Sequence, residues 1–168
     1  MVSGEEVSQS HELEVKVGAS QVWELYSSLR LAQLVEEQLS TVIQKINVVE
    51  GDGGVGTVLH LFFVPGAARF SDYKEKFTKV DHEKRVKEAE VIEGGYLDFG
   101  FKYLRVRFEI IDKDDRSSII KSTFEYQLND DSAANVSLVS IDTLAALSLV
   151  VQNHLTPTPT PNLNPIFK

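Results

Sequence analysis

The chain has 168 residues, 42% of them hydrophobic, which is enough for one globular domain with a sizeable core. Its formal net charge of −8 argues against binding to nucleic acid or to an anionic membrane surface, since both require a basic footprint, and the absence of cysteine excludes disulfides and thiol chemistry. No apolar run predicts a membrane span, and the first fifteen residues lack the pattern of a secretory signal, so a cytoplasmic protein is expected.

The first half of the chain predicts one strand, two short helices and two further strands. Strict alternation of apolar and polar residues over His11–Val17 is typical of a half-buried strand. Ser20 fits the N-cap of a helix with one apolar side, and a second short helix is expected over Leu29–Glu37. The segments Val42–Glu50 and Val58–Val64 then return to the strand pattern.

The densest glycine cluster, GDGGVGT from Gly51 to Thr57, separates those two strands. Glycine serves both phosphate-binding loops and tight turns, because it allows positive φ and a close approach of the backbone. The cluster lacks the terminal Gly-Lys-Ser/Thr of a phosphate-binding loop, and a strand rather than a helix follows it. A tight turn is therefore the favoured interpretation.

The segment Phe70–Asp98 predicts two strands joined by a turn, with charge where a plain hairpin would carry apolar residues. Because alternate side chains share a face of a strand, Tyr73, Glu75 and Phe77 point the same way in the first strand. In the second strand, Lys87 shares a face with apolar neighbours. If both faces border a cavity, a phenol, a carboxylate and an ammonium group lie together in an apolar wall, and such a set can do acid–base chemistry.

Two plainer interpretations of the same residues stay open. Glu75 and Lys87 could form a cross-strand ion pair on a solvated face, which the pattern alone favours. Tyr73 could be a core aromatic residue whose hydroxyl bonds to a backbone carbonyl.

The second half of the chain continues the sheet and ends in a helix. The pattern predicts a long strand over Tyr96–Ile111, a solvated turn over Asp112–Arg116, a last strand over Ser118–Leu128 and one long helix over Asp131–Leu155. We expect a flexible N-terminus over residues 1–9, one domain over residues 10–155 and a disordered proline-rich tail over residues 156–168. A curved antiparallel sheet around a terminal helix would leave an apolar hollow that can bind small molecules.

Six stretches of the chain carry a resemblance to a known family. They are HELEV at His11, EGDGGVGT at Glu50, YKEKF at Tyr73, VDHEKRVKEA at Val80, EGGYLDFG at Glu93 and IIKSTFEY at Ile119. Over roughly residues 10–155 the chain resembles the Bet v 1 family of plant pathogenesis-related proteins, and within it the alkaloid enzymes of the norcoclaurine synthase and norbelladine synthase type. The resemblance implies an α+β helix-grip fold, in which a curved seven-stranded antiparallel sheet surrounds a long C-terminal helix, with two short helices and an internal cavity.

The resemblance also implies a reaction. Enzymes of this type join a phenethylamine, tyramine or dopamine, to an aromatic aldehyde through an imine, and some then close a ring by Pictet–Spengler chemistry. By the same resemblance Lys87 would be the general acid, Glu75 the general base and Tyr73 an orienting hydroxyl. Condensation needs no metal or cofactor, and any reduction of the imine is assigned to a separate reductase.

The expected substrate-binding residues surround these three. They are Phe77, Val106, Leu144, Leu147 and Asp98. Asp98 could be a second carboxylate of the site, although an aspartate at the start of a strand more commonly bonds to the backbone of a turn. A family aspartate falls on Val106, and this departure favours the alternative function, a non-catalytic carrier of hydrophobic plant metabolites. A Schiff base on Lys87 ranks below its acid role, because the amine substrate already supplies the nucleophile. We expect a monomer or weak dimer without nucleic-acid or membrane partners.

Overall fold

The computed structural model describes residues 6–156, and its main element is one antiparallel sheet of seven strands. The strands are β1 (Glu6–Val15), β2 (Ile43–Glu50), β3 (Val58–Phe63), β4 (Asp72–Asp81), β5 (Val86–Gly94), β6 (Phe101–Asp114) and β7 (Ser117–Leu128). Their order in the sheet is β1-β7-β6-β5-β4-β3-β2. The predicted seven-stranded antiparallel fold is confirmed.

Three α-helices accompany the sheet. They are α1 (Ala19–Tyr26), α2 (Arg30–Gln38) and α3 (Ile141–Leu155), and two 3-10 segments cover Gly95–Phe99 and Asp130–Leu138. The apolar side of α1 is buried through Val22 and Leu25, as its pattern predicts. In α3, Leu144, Leu147 and Val151 recur at helical spacing and pack into the main core.

The two faces of the sheet differ in character, as alternation along the strands predicts. On the inner face of β6, Leu104, Phe108 and Ile110 are buried in the core. The outer face carries ion pairs, among them Arg105 to Glu125 at 3.0 Å and Arg107 to Glu88 at 2.9 Å. A site for an apolar ligand is therefore expected on the inner face.

Several predicted element boundaries were wrong. β1 begins at Glu6, five residues before the expected start, because residues 6–10 pair with β7 although their pattern is mostly polar. The long strand expected from Tyr96 begins only at Phe101, since Gly94 and Gly95 take positive φ and turn the chain into a 3-10 segment. β6 extends to Asp114, so the solvated turn is shorter than Asp112–Arg116.

The long terminal helix also starts later than expected. Residues 130–138 are 3-10, and α3 begins at Ile141, where the side chain of Ser140 accepts a hydrogen bond from the N–H of Asp142. The glycine cluster is the predicted turn, since it joins β2 to β3 and has positive φ at Gly51, Gly53 and Gly56. Apart from Thr156, the expected tail lies outside the described residues.

One segment meets the length and composition of a membrane span, contrary to the sequence prediction. It covers Asp130–Leu155, with a mean hydropathy of 1.8. In the fold its α-helical part has 15 residues, about 22 Å, which is shorter than a hydrocarbon core of about 30 Å. Because Leu144, Leu147 and Val151 pack into the protein core, the segment is a packed helix of this domain.

Candidate active site

The hairpin of β4 and β5 brings the three predicted catalytic side chains to the inner face of the sheet. In β4, Tyr73 packs against the main core and Phe77 is buried. In β5, Lys87 is buried on the same face as Ala89 and Val91, which lie opposite Phe77 and Glu75 respectively. We call Tyr73, Glu75 and Lys87 the interior triad.

Lys87 is the cation of the interior triad, and it is deeply buried. Its side chain is 3% exposed, and its Nζ donates a 2.9 Å hydrogen bond to the carbonyl oxygen of Tyr26, the last residue of α1. The same Nζ lies 4.0 Å from the centroid of the Phe77 ring. A helix C-terminus and an aromatic face both favour a positive charge, so they offset part of the cost of burying the ammonium group.

Burial nevertheless lowers the pKa of Lys87 to about 8, and the negative charge of Glu75 opposes that shift. The solvated ion pair considered from the sequence is therefore wrong. Lys87 lies inside the protein, and among residues 6–156 no carboxylate oxygen lies within 4.0 Å of its Nζ. A lysine with this pKa can both give and take a proton near neutral pH.

Glu75 and Tyr73 keep their polar groups free. Neither the Glu75 carboxyl nor the Tyr73 hydroxyl has a hydrogen bond to another described residue, and both side chains are partly accessible. Burial raises the pKa of Glu75, although Lys87 opposes this, and burial raises the pKa of Tyr73 well above its usual value, with the charge of Glu75 adding to it. Unpaired polar groups on an apolar inner face are available to a ligand.

A cluster of aromatic rings surrounds Tyr73 of the interior triad. Phe70 contacts several of them, with centroid distances of 5.3 Å to Phe63, 5.9 Å to Tyr73 and 4.8 Å to Tyr96. The sequence pattern predicted Tyr96 as the first residue of a strand and not as part of the site. It is buried, and desolvation together with Glu75 raises its pKa to about 12. The signal that could have identified it is its position directly after two glycines.

The other predicted substrate-binding residues divide into two groups. Phe77 lies beside Lys87, and Val106 lies on the inner face of β6, opposite Ala89 of β5. Leu144 and Leu147 point from α3 into the same core. Asp98 is exposed in the 3-10 segment, so the structure does not bring it to the interior triad.

Two surface depressions lie away from the interior triad. One lies between α2 and β2, around Ala32 and Ile46, and another lies beside the start of α1, around Ser20 and Arg85. Neither contains a residue of the interior triad. The site is therefore defined by the buried ammonium group of Lys87 beside the unpaired, partly accessible polar groups of Glu75 and Tyr73, and an open internal cavity around them stays a prediction.

Comparison with known proteins places the chain in a family. Residues 5–156 match the sequence model of the pathogenesis-related protein Bet v 1 family. The chain is 50% identical over 148 residues to norbelladine synthase of Narcissus pseudonarcissus, covering 88% of this chain and 91% of that relative. It is 39% identical over 147 residues to S-norcoclaurine synthase 2 of Papaver somniferum, covering 86% of this chain and 63% of that relative.

A solved structure agrees with the sequence comparisons. The X-ray structure of norcoclaurine synthase from Thalictrum flavum in complex with dopamine and hydroxybenzaldehyde has a TM-score of 0.84 and 35% identity, and the match covers 94% of this chain and 91% of that chain. The resemblance predicted from the sequence is thereby confirmed, and the chain belongs to the pathogenesis-related protein Bet v 1 family.

Proposed function

We propose that this chain catalyses the condensation of a phenethylamine, tyramine or dopamine, with an aromatic aldehyde to give an imine and water. The observation that supports the proposal best is the interior triad, which combines a buried ammonium group with an unpaired carboxyl and an unpaired phenol. The names of its relatives, norbelladine synthase and norcoclaurine synthase, point to the same class of reaction.

In the proposed reaction the amine nitrogen attacks the aldehyde carbon, and the electrons of the C=O bond move to oxygen. Lys87 gives that oxygen a proton, and Glu75 takes the proton that the nitrogen loses, so a neutral carbinolamine forms. Return of that proton from Glu75 to Lys87 through water restores both groups, and Lys87 then protonates the hydroxyl, which leaves as water while the C=N bond forms. The neutral amine of Lys87 takes the remaining proton from the iminium nitrogen, so the products are one imine and one water and both residues regain their starting protonation states.

The roles follow from the environments of the two groups. Burial lowers the pKa of Lys87 to about 8, so its proton is more easily given than that of a solvated lysine. Burial raises the pKa of Glu75, so its carboxylate is a stronger base than a solvated one. Tyr73, whose hydroxyl is unpaired among the described residues, would orient the amine or the imine by hydrogen bonding.

Holding both substrates in one apolar interior adds to this chemistry. Bringing two reactants together in a productive orientation can remove several kcal/mol of an activation barrier. The walls for this purpose are Phe77 and Val106 on the sheet and Leu144 and Leu147 on α3. Val106 stands where the resemblance places an aspartate. The lack of a carboxylate there favours release of the open imine to a separate reductase over closure of a ring.

A product assay tests the proposal. Tyramine and dopamine are each incubated with 3,4-dihydroxybenzaldehyde and with 4-hydroxyphenylacetaldehyde, borohydride traps any imine, and chiral chromatography resolves any cyclised product. Trapped imine above the rate without protein supports condensation, and an enantiomerically enriched tetrahydroisoquinoline adds cyclisation. Background rates with every pair would overturn the proposal and leave the carrier function, which the apolar Val106 also favours.

A further inference from the structure

Two side chains and one backbone carbonyl on one face of α1 bind the hairpin that carries the interior triad. Ser20, Trp23 and Tyr26 are spaced three residues apart, so they lie on the same side of the helix. Arg85 donates from Nη2 to the Ser20 Oγ at 3.3 Å, and Lys87 donates to the Tyr26 carbonyl at 2.9 Å. We call these contacts, together with the one described next, the α1–hairpin links.

The middle link joins Trp23 to His82, which lies in the turn between β4 and β5. The indole Nε1 donates to His82 Nδ1 at 3.1 Å, and the two rings meet edge to face with centroids 5.7 Å apart. Because indole can only donate, Nδ1 must accept, and the neutral ring of His82 then carries its proton on Nε2. A second proton would turn Nδ1 into a donor and break this hydrogen bond.

The link bears on Lys87 through the position of α1. The acceptor of Lys87 Nζ is a backbone carbonyl at the end of that helix, so it moves only if the helix moves. Trp23 is buried, and loss of the bond leaves its N–H short of a partner, which favours a different placement of α1 on the hairpin. His82, in contrast, is exposed and can take up a proton from solvent.

We propose that His82 is a positioning residue for Lys87, and that protonation of His82 releases α1 and withdraws the carbonyl that holds the ammonium group. The proposal rests on the role of Lys87 under the proposed function.

The charged groups around the turn leave the acceptor position to His82. They are Asp81, Glu83, Lys84 and Arg85 on the hairpin, Glu24 on α1, and Glu109 and Asp112 on β6. Asp81 accepts the backbone N–H groups of Glu83 and Lys84, and Arg85 is held by Ser20 and Asp112. His82 Nδ1 is therefore the acceptor that the structure gives to Trp23.

Two variants separate the role of His82 as a hydrogen-bond acceptor from the effect of its protonation. His82→Asn offers an amide oxygen that can accept from Trp23 at every pH, whereas His82→Ala offers none. The control is His154→Asn, which changes an exposed histidine in the last turn of α3. Because the chain has a single tryptophan, its fluorescence reports on this one link.

The activity measurements compare imine formation against pH in these proteins. His82→Ala should lower kcat roughly two- to tenfold at pH 7 with little change in KM, since one hydrogen bond contributes about that factor. His82→Asn should keep kcat at pH 7 and lose less of it at pH 5.5 than the wild type. Wild-type kcat and pH profile in His82→Ala would overturn the positioning role.

Two further measurements do not depend on catalysis, so they separate this inference from the proposed function. Tryptophan emission should change on acidification in the wild type and in His154→Asn, but not in His82→Asn. NMR of lysine labelled with ¹³C at Cε, assigned with Lys87→Met, should show a lower pKa of Lys87 in His82→Ala, because the charged form loses its acceptor. An unchanged Lys87 titration, or the same emission titration in His82→Asn as in the wild type, would contradict the inference.

Discussion

At the scale of single residues, the interior triad shows that the site and the core compete for the same positions. Lys87 occupies a strand position whose neighbours on the same face, Ala89 and Val91, are core residues. An ammonium group there costs free energy of folding, and the cost is only partly offset by the Tyr26 carbonyl and the Phe77 ring. This conflict is typical of residues retained for chemistry.

Lys87→Met should therefore abolish condensation and stabilise the fold. The pKa of Lys87 falls from its usual 10.5 to about 8 in the folded chain, a shift that corresponds to about 3 kcal/mol. The unfolded chain holds its proton up to higher pH, so the wild type gains stability as the pH rises from about 8 to 10.5. The variant should have a higher Tm at pH 7, and its advantage should disappear above pH 10.5. Full activity in Lys87→Met would rule out the acid role.

The pH dependence of imine formation should be bell-shaped. Glu75 must be ionised to act as a base, and burial raises its pKa, so activity should fall on the acid side at a pH above the usual 4.5. Lys87 must be protonated to act as an acid, and its pKa of about 8 sets the basic limit. A profile of kcat/KM from pH 4 to 10 measures both limbs. Activity that keeps rising past pH 9 would instead indicate that neutral Lys87 reacts, as a Schiff-base mechanism requires.

Val106→Asp should change the product more than it changes condensation. The variant places a carboxylate on the inner face of β6, opposite Ala89 of β5, where the resemblance puts the family aspartate. We expect a larger ratio of cyclised product to trapped imine, with a loss of stability of about 1–3 kcal/mol from the buried polar group. Val106→Asn is the matched control, since it adds polarity without charge. Equal ratios in all three proteins would show that the residue at this position does not select the product.

At the scale of elements, alternation in the sequence predicted that Tyr73 and Glu75 share a face of β4 and that Lys87 shares a face of β5 with apolar residues, but only the family resemblance placed these faces inside the protein. The sequence could not predict the acceptor of Lys87, because every residue has a backbone carbonyl and the identity of Tyr26 does not show that its carbonyl is the one used. The pattern also failed where glycine conformation decides. Gly94 and Gly95 end β5 and turn Tyr96 inward, although the residues after them alternate as a strand does.

Gly95 controls how closely the 3-10 segment approaches Tyr73. A Cβ at Gly95 would lie 2.8 Å from the Tyr73 side chain, and the residue has φ of +54°. Gly95→Ala should therefore displace Tyr73, lower kcat/KM and cost about 1–3 kcal/mol of stability. Gly66→Ala is the control, because Gly66 has φ of +87° but nothing within 4 Å of the added Cβ. If the two variants lose the same stability and activity, backbone strain alone explains the effect of Gly95→Ala.

At the scale of the whole molecule, the free chain leaves part of the hydrogen-bonding capacity of the interior triad unused. Glu75 and Tyr73 have no hydrogen bond to other residues in the described part of the chain, and Lys87 uses one of its three donors on Tyr26. Under the proposed function, a bound amine supplies a cation and donors to the unpaired groups of the interior triad. Substrate binding should therefore stabilise the fold.

Tyramine alone should raise the Tm of the wild type. At a concentration one hundred times Kd a ligand that binds only the folded chain adds about 2.7 kcal/mol, and 1 kcal/mol moves Tm by roughly 2–4 °C in a protein of this size. Glu75→Gln keeps the shape of the side chain but removes its charge, so it should lose most of this shift while gaining basal stability. Glu93→Gln is the control, because its 69% exposed side chain pairs with Lys74 on the outside. An equal shift of Tm with tyramine in Glu75→Gln and in the wild type would mean that the amine binds elsewhere. The interior triad would then not be the amine-binding site.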